Sequence, residues 1–198
     1  VMNGSHINFT NKKFGEAMQF GVNNNHVRVK NHSMLTFGDG LTDKPFSIEA
    51  WVNYNPSTAT IGCPIVSKAG TGHEYILIKD GSDNLVLNMY NLTGNSNIRR
   101  ISNLNITSLL GNWIHVVSTY DGSSSDLGIK LYLNGVQLST TSASAGTYVA
   151  MTGQSDLYIG RWVPDSCNAT IDEVAIWNKT LSADKIAEHA GAKIIDYS

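Results

Sequence analysis

Apolar and polar residues alternate along most of this chain with a period of two. Clusters of Gly, Asn, Asp and Ser break the alternation at short intervals. A strand turns successive side chains to opposite faces, so this pattern predicts half-buried strands joined by tight turns. Phe46, Ile48, Ala50 and Val52 share one face, while Ser47, Glu49, Trp51 and Asn53 share the other. Similar runs occur at Val27-Arg28-Val29, Ile65-Val66-Ser67, Tyr75 to Ile78, Leu85 to Tyr90, Trp113 to Tyr120, Ile129 to Leu133, Leu157 to Gly160 and Ile171 to Trp177. The turn Lys79 to Asn84 makes the Tyr75 and Leu85 strands a hairpin. Asn134-Gly135 is the strongest two-residue hairpin signal, because both positions of that turn need φ > 0. Arg99-Arg100-Ile101 predicts a short polar strand, its arginine pair read as a solvated sheet edge with acidic-sugar binding as the alternative. One helix is expected over Ser182 to Ala190, with Ser182 as N-cap and Gly191 as its stop. A short turn is expected around Ser108 to Gly111.

A chain of 198 residues with this pattern reads as one domain, 1–198, with no linker, repeat or low-complexity tract. The net charge of −2 gives no electrostatic basis for nucleic-acid binding. No apolar run approaches the roughly 18 residues of a membrane-spanning segment, so membrane insertion is not expected. The chain opens Val1-Met2-Asn3 without a signal segment, which reads as a mature chain or a piece of a longer protein with further domains.

The two cysteines, Cys63 and Cys167, both have turn-like neighbours. Two unpaired thiols and one disulfide are both open readings. The disulfide is favoured because loops are poor sites for buried structural thiols. Asn-x-Ser/Thr sequons begin at Asn3, Asn8, Asn31, Asn91, Asn105, Asn168 and Asn178. They are compatible with a glycosylated secreted protein, but a chain this rich in Asn, Ser and Thr produces many by chance.

Several segments, taken in order, resemble the laminin-G-like branch of the concanavalin A-like jelly rolls. They are Phe20 to Val29, Phe37 to Ile48, Trp113 to Gly122, Leu131 to Gly135, Tyr158-Ile159-Gly160 and Ile171 to Ser182. The resemblance spans about Phe14 to Ala190. It implies an all-β fold, a two-sheet antiparallel β-sandwich with one short C-terminal helix. It also implies an extracellular, cell-surface or virion-surface setting. A shared fold leaves function open.

Catalysis is not expected. Glycosidases need two carboxylates about 5–10 Å apart on one face. The Glu-x-Asp-x-x-Glu segment of β-glucan-cleaving relatives is missing, and no Ser-His-Asp arrangement is evident. Asp172 and Glu173 are adjacent, so on a regular strand they face opposite ways. Glu49 and Glu74 read as lone acids. One structural calcium ion is implied, with Asp39, Asp43 and Asp172 as candidate oxygen ligands. The competing reading makes Asp39 and Asp43 turn formers and pairs Asp172 with a backbone amide. The double-calcium site of pentraxins is not expected, since Gly72-His73 and Arg161-Trp162-Val163-Pro164 replace its acidic positions.

Sugar binding needs an aromatic face for C–H surface and planar polar groups for hydroxyls. Trp162 is the best candidate, with Arg161, Asp165 and Asn168 beside it and His73, Glu74 and Tyr54 on loops that share the rim. The alternative has Trp162 plugging the end of the sandwich. Trp51, Trp113 and Trp177 read as sheet-packing residues. The expectation is therefore a non-catalytic module that binds a glycan or surface glycoconjugate. A structural or adhesion domain of a cell-surface, phage-tail or virion protein is the alternative.

Overall fold

A computed structural model describes residues 2–3, 8–9, 13–21, 25–58, 62–70, 74–91, 95–162 and 165–191. These residues form seventeen strands and one α-helix. The strands are β1 (Met2–Asn3), β2 (Asn8–Phe9), β3 (Met18–Phe20), β4 (His26–Val29), β5 (Phe46–Tyr54), β6 (Cys63–Lys68), β7 (Tyr75–Lys79), β8 (Asn84–Tyr90) and β9 (Asn97–Asn105). They continue with β10 (Trp113–Tyr120), β11 (Ile129–Leu133), β12 (Val136–Gln137), β13 (Thr140–Ser142), β14 (Leu157–Ile159), β15 (Arg161–Trp162), β16 (Asp165–Ser166) and β17 (Ala169–Trp177). Helix α1 spans Ala183–His189.

One sheet has eight strands in the order β1-β4-β14-β6-β7-β8-β9-β13; the other has seven, ordered β12-β11-β10-β5-β17-β3-β2. All pairings within them are antiparallel. This is the two-sheet sandwich with a short C-terminal helix that the resemblance implied. Phe46, Ile48, Ala50, Val52 and Tyr54 of β5 pack inward with Ile114, Val116 and Tyr120 of β10 and with Leu77, Leu85 and Leu87 of the opposing sheet. Phe46 lies stacked on Phe37, with ring centroids 4.6 Å apart.

Local chemistry explains the connections. Asn134 and Gly135 both have positive φ, 49° and 85°, as the β11–β12 hairpin requires. Gly160 has φ +78°, and a Cβ there would lie 2.5 Å from the Phe20 ring. Ser182 caps α1, its side chain accepting from the Lys185 N–H. A short 3-10 turn covers Thr107–Leu109, where a turn was expected.

Three expectations are corrected. Arg99 to Ile101 is the middle of nine-residue β9 and lies inside the sheet, because β13 pairs with it at Arg100↔Ser142 and Ile101↔Thr141. Both cysteines are fully buried core residues, Cys63 beginning a strand. They form a disulfide with Cα atoms 4.2 Å apart, which ties the start of β6 in one sheet to the entry of β17 in the other. Finally, β17 is not a regular strand. Asp172 pairs with Trp51 but Ala175 pairs with Glu49, so one extra residue is inserted, and Glu173 takes the left-handed conformation at φ 48°.

Replacing Cys63 and Cys167 together by Ala should lower stability by about 2–5 kcal/mol, read as a drop in the urea midpoint. Gly160→Ala should cost at least about 2 kcal/mol in the same assay, since it combines positive-φ strain with overpacking against Phe20.

Candidate functional site

The rim expected around Trp162 is only partly assembled. β15 and β16 form a two-stranded ribbon in which Trp162 pairs with Asp165 and Arg161 with Ser166. The indole N–H of Trp162 donates to the Ala69 carbonyl at 3.0 Å, so a half-buried ring closes the connection after β6. The Arg161 carbonyl accepts from the Ser67 hydroxyl at 2.6 Å, and its Nη1 lies 3.3 Å from His26 Nδ1. These contacts fix the Trp162 ring against the end of β6. Asn168 lies apart from this ribbon, in a groove of about 370 Å³ that it shares with Gln19, Asn53 and Asn55. His73 lies outside the described residues.

Glu74 and Tyr54 are not rim residues. Glu74 is fully buried and paired with the equally buried Lys68 Nζ, which also donates to the Thr36 hydroxyl at 3.1 Å. Burial pushes the Glu74 carboxyl up to about 7, against the opposing pull of Lys68. Tyr54 ends β5 inside the core, and its hydroxyl has no partner among the described residues.

The three candidate calcium ligands are separate. Asp39 Oδ1 accepts from the Leu41 and Thr42 N–H groups at 2.9 and 2.8 Å, a local turn. Asp43 Oδ2 accepts from the Tyr120 and Tyr148 hydroxyls, both at 2.8 Å, and Oδ1 from the Met151 N–H at 2.9 Å. Asp172 Oδ2 accepts from the Lys13 and Phe14 N–H groups at 3.2 and 3.0 Å. Asp172 lies beside Trp51 and the Asp43 partner Tyr120 beside Phe46, roughly 17 Å apart along β5. Lone pairs already filled by N–H and O–H donors do not fit a shared hard cation. Among the described residues, no group of three or more His, Cys, Asp or Glu is arranged to hold a metal.

A different surface gathers aromatic and ionisable side chains. The face of the seven-stranded sheet turned away from the core is built in cross-strand rows. Gln19, Thr170, Asn53 and Trp113 form one row. Asp172, Trp51 and His115 form the next, followed by Ala175, Glu49 and Val117, then Trp177, Ser47 and Thr119. Three of the four tryptophans therefore share a face with Glu49, Asn53 and His115. The bulge at Glu173 is what keeps Ala175 and Trp177 on this face after Asp172. At one end, Leu181 and Ile186 of the α1 region cover Val117, Tyr132 and Trp177. At the other, the Lys13–Phe14 backbone is held on Asp172.

Between these covers lies a cavity of about 310 Å³, lined by Phe14, Glu49, Trp51, His115, Glu173 and Trp177 among others. Glu49 is its hub. Its carboxylate accepts from Trp177 Nε1 at 2.8 Å, lies 2.9 Å from His189 Nδ1 of α1, and lies 3.4 Å from His115 Nε2. Burial raises the proton affinity of Glu49, but its contacts with His115, His189 and Trp177 outweigh this and hold it below the ordinary glutamate value. The Trp51 ring packs against His115 at 5.1 Å, and Lys13 Nζ sits 4.0 Å from its centroid.

The alternation already placed Glu49, Trp51 and Asn53 together. The cross-strand register that adds His115 and Trp177 is not written in any one strand. Nor is the bulge, because Glu173 is an unusual residue for a positive φ.

Across residues 21–187 the chain matches a family described as the concanavalin A-like lectin/glucanases superfamily, of the third laminin-G type, and it belongs to that family. No curated protein matches it significantly in sequence. Solved structures share its fold. The binding domain of Paraclostridial Mosquitocidal Protein 1 superposes with a TM-score of 0.71 at 15% identity, covering 94% of this chain and 46% of that one. Domain 4 of AbnA, an extracellular arabinanase of Geobacillus stearothermophilus solved with arabinotriose, gives 0.67 at 19% identity, covering 94% and 82%. A botulinum neurotoxin type C structure, whose cell entry depends on interaction with two ganglioside molecules, gives 0.69 at 15%, covering 95% and 45%. The chain thus spans less than half the length of these toxin chains.

The ionised Glu49 stabilises the fold at neutral pH, and that contribution is lost as the pH falls below the ordinary glutamate value of 4.5. Glu49→Gln should therefore narrow the stability difference between neutral and acid pH. It should also speed hydrogen exchange in α1, measured by mass spectrometry.

Proposed function

We propose that this chain is a non-catalytic glycan-binding module of a larger exported protein, and that it holds sugar on the outward face of the seven-stranded sheet. The observation that carries this reading is the cross-strand alignment of Trp51, Trp113 and Trp177 with Glu49, Asn53 and His115. Aromatic faces interleaved with planar hydrogen-bonding groups are what sugar C–H and O–H surfaces need, and Trp51, Trp177, Glu49 and His115 line a cavity of ligand size. The Gln19, Asn53, Asn55 and Asn168 groove continues the same face with amide donors and acceptors.

Supporting this, AbnA domain 4 is a fold relative solved with arabinotriose, and the type C toxin is described with gangliosides. The Cys63–Cys167 disulfide supports an oxidising, extracellular setting. Among the described residues, no helix is long and apolar enough to cross a membrane.

A glycan array probed with the purified chain is the test, and retention of no glycan overturns the reading. For a glycan retained on the array, Trp51→Ala or Trp177→Ala should weaken binding about 10-fold or more, the loss expected of a stacking contact worth over 1 kcal/mol. Trp162→Ala should lower the melting temperature while leaving that affinity within about 2-fold, since its ring closes a loop.

A further inference from the structure

The cavity beside Trp51 is acidic and aromatic, and the protein has already placed an ammonium on it. Lys13 Nζ lies 4.0 Å from the centroid of the Trp51 ring and 5.8 Å from that of Phe14. Lys179 Nζ lies 5.8 Å from the Trp177 ring on the other wall. Phe14 meets Trp51 edge-on at 6.2 Å yet is 53% exposed. Lys13 is brought there by a strap, not a strand: residues 13–15 are bends, and two N–H groups of the strap rest on Asp172. The strap ends at Gly15, whose φ of +48° and open surroundings make it a natural pivot.

The charged and titratable groups around this space are Glu49, Glu173, His115 and His189 in its lining, Lys13 and Lys179 against its tryptophans, and Asp172 beside Trp51. Three of them are carboxylates. His115 adds a second feature. It is 2% exposed and lines the cavity, its Nε2 faces Glu49, and its Nδ1 has no partner among the described residues. With the proton on Nε2 directed at Glu49, Nδ1 is left as an unpaired buried acceptor.

We propose that this cavity recognises an ammonium group on its ligand, so that the preferred glycans carry free amino groups, and that Lys13 is a built-in placeholder displaced when such a glycan binds. An ammonium is attracted to an aromatic face and to carboxylates. A neutral or acidic sugar would instead have to evict Lys13 without replacing its charge, leaving the carboxylates less well compensated. The inference rests on the glycan-binding reading above and narrows its ligand class.

Isothermal titration with the glucosamine tetramer, whose amines are free, against the same tetramer fully N-acetylated is the deciding experiment at mildly acid pH. The free-amine tetramer should bind at least about 10-fold more tightly. Lys13→Ala should tighten its binding several-fold by removing the internal competitor, and Trp51→Ala should abolish it. Because Trp51 is largely buried, near-ultraviolet circular dichroism checks that variant's fold; if it fails to fold, the Lys13→Ala result decides. Equal binding of the two tetramers, or binding of neither while the array retains other glycans, overturns this inference and leaves the glycan reading intact. An affinity unchanged by Lys13→Ala overturns the placeholder. Free-amine binding that survives in a folded Trp51→Ala protein is general charge attraction and also overturns it.

Discussion

The pairing of β5 between β10 and β17 is the interaction on which the rest depends. β5 is buried nearly throughout, so its two faces do different work. The inward residues Phe46, Ile48, Ala50, Val52 and Tyr54 join the core between the sheets. The outward residues Ser47, Glu49, Trp51 and Asn53 meet partners from both neighbours. A one-residue slip would exchange these faces, putting Glu49 into the core and Ile48 into the cavity. Burial of one face thereby determines the composition of the other. Ser47 extends the arrangement, since its hydroxyl donates to the Lys179 carbonyl and accepts from the Leu181 N–H, which guides the chain into α1.

Charge is used sparingly and placed with care. Lys68–Glu74 and Lys79–Asp83 are buried ion pairs at turns and strand ends of the eight-stranded sheet. Each has added hydrogen bonds, from Lys68 to Thr36 and to Asp83 from the Thr107 hydroxyl. Such pairs add little net stability but are costly to leave half-made, so they specify how their loops close. Glu49 works differently. Its three contacts come from β10, β17 and α1, so one carboxylate joins two strands to the helix beside the cavity.

The fold itself was readable from the sequence. The alternation of β5 and β10, the Asn134-Gly135 turn and the Ser182 cap are local signals that tertiary packing did not override. The site was readable only in fragments. Trp162 was conspicuous in its Pro-containing loop, yet its indole N–H is spent on Ala69. Glu74 and Tyr54 flank loops in sequence but are buried, Glu74 because Lys68 compensates its charge and Tyr54 because it closes the end of a core strand. Trp51 and Trp177 do pack on the sheet, as expected, but on the face where packing leaves a cavity.

What the sequence determined by itself was therefore the set of strands and the face each side chain takes within a strand. These follow from spacing along one chain, and spacing is local; the jelly-roll family came from the resemblance of whole segments. Tertiary structure alone decided that Glu49, His115, Trp177 and His189 converge, because their meeting depends on the register of three strands and the docking of a helix. It also decided, through the extra residue at Glu173, that Trp177 stays on the same face as Trp51. Pattern along a strand states which way a residue points; only hydrogen-bonded pairing states what it meets there.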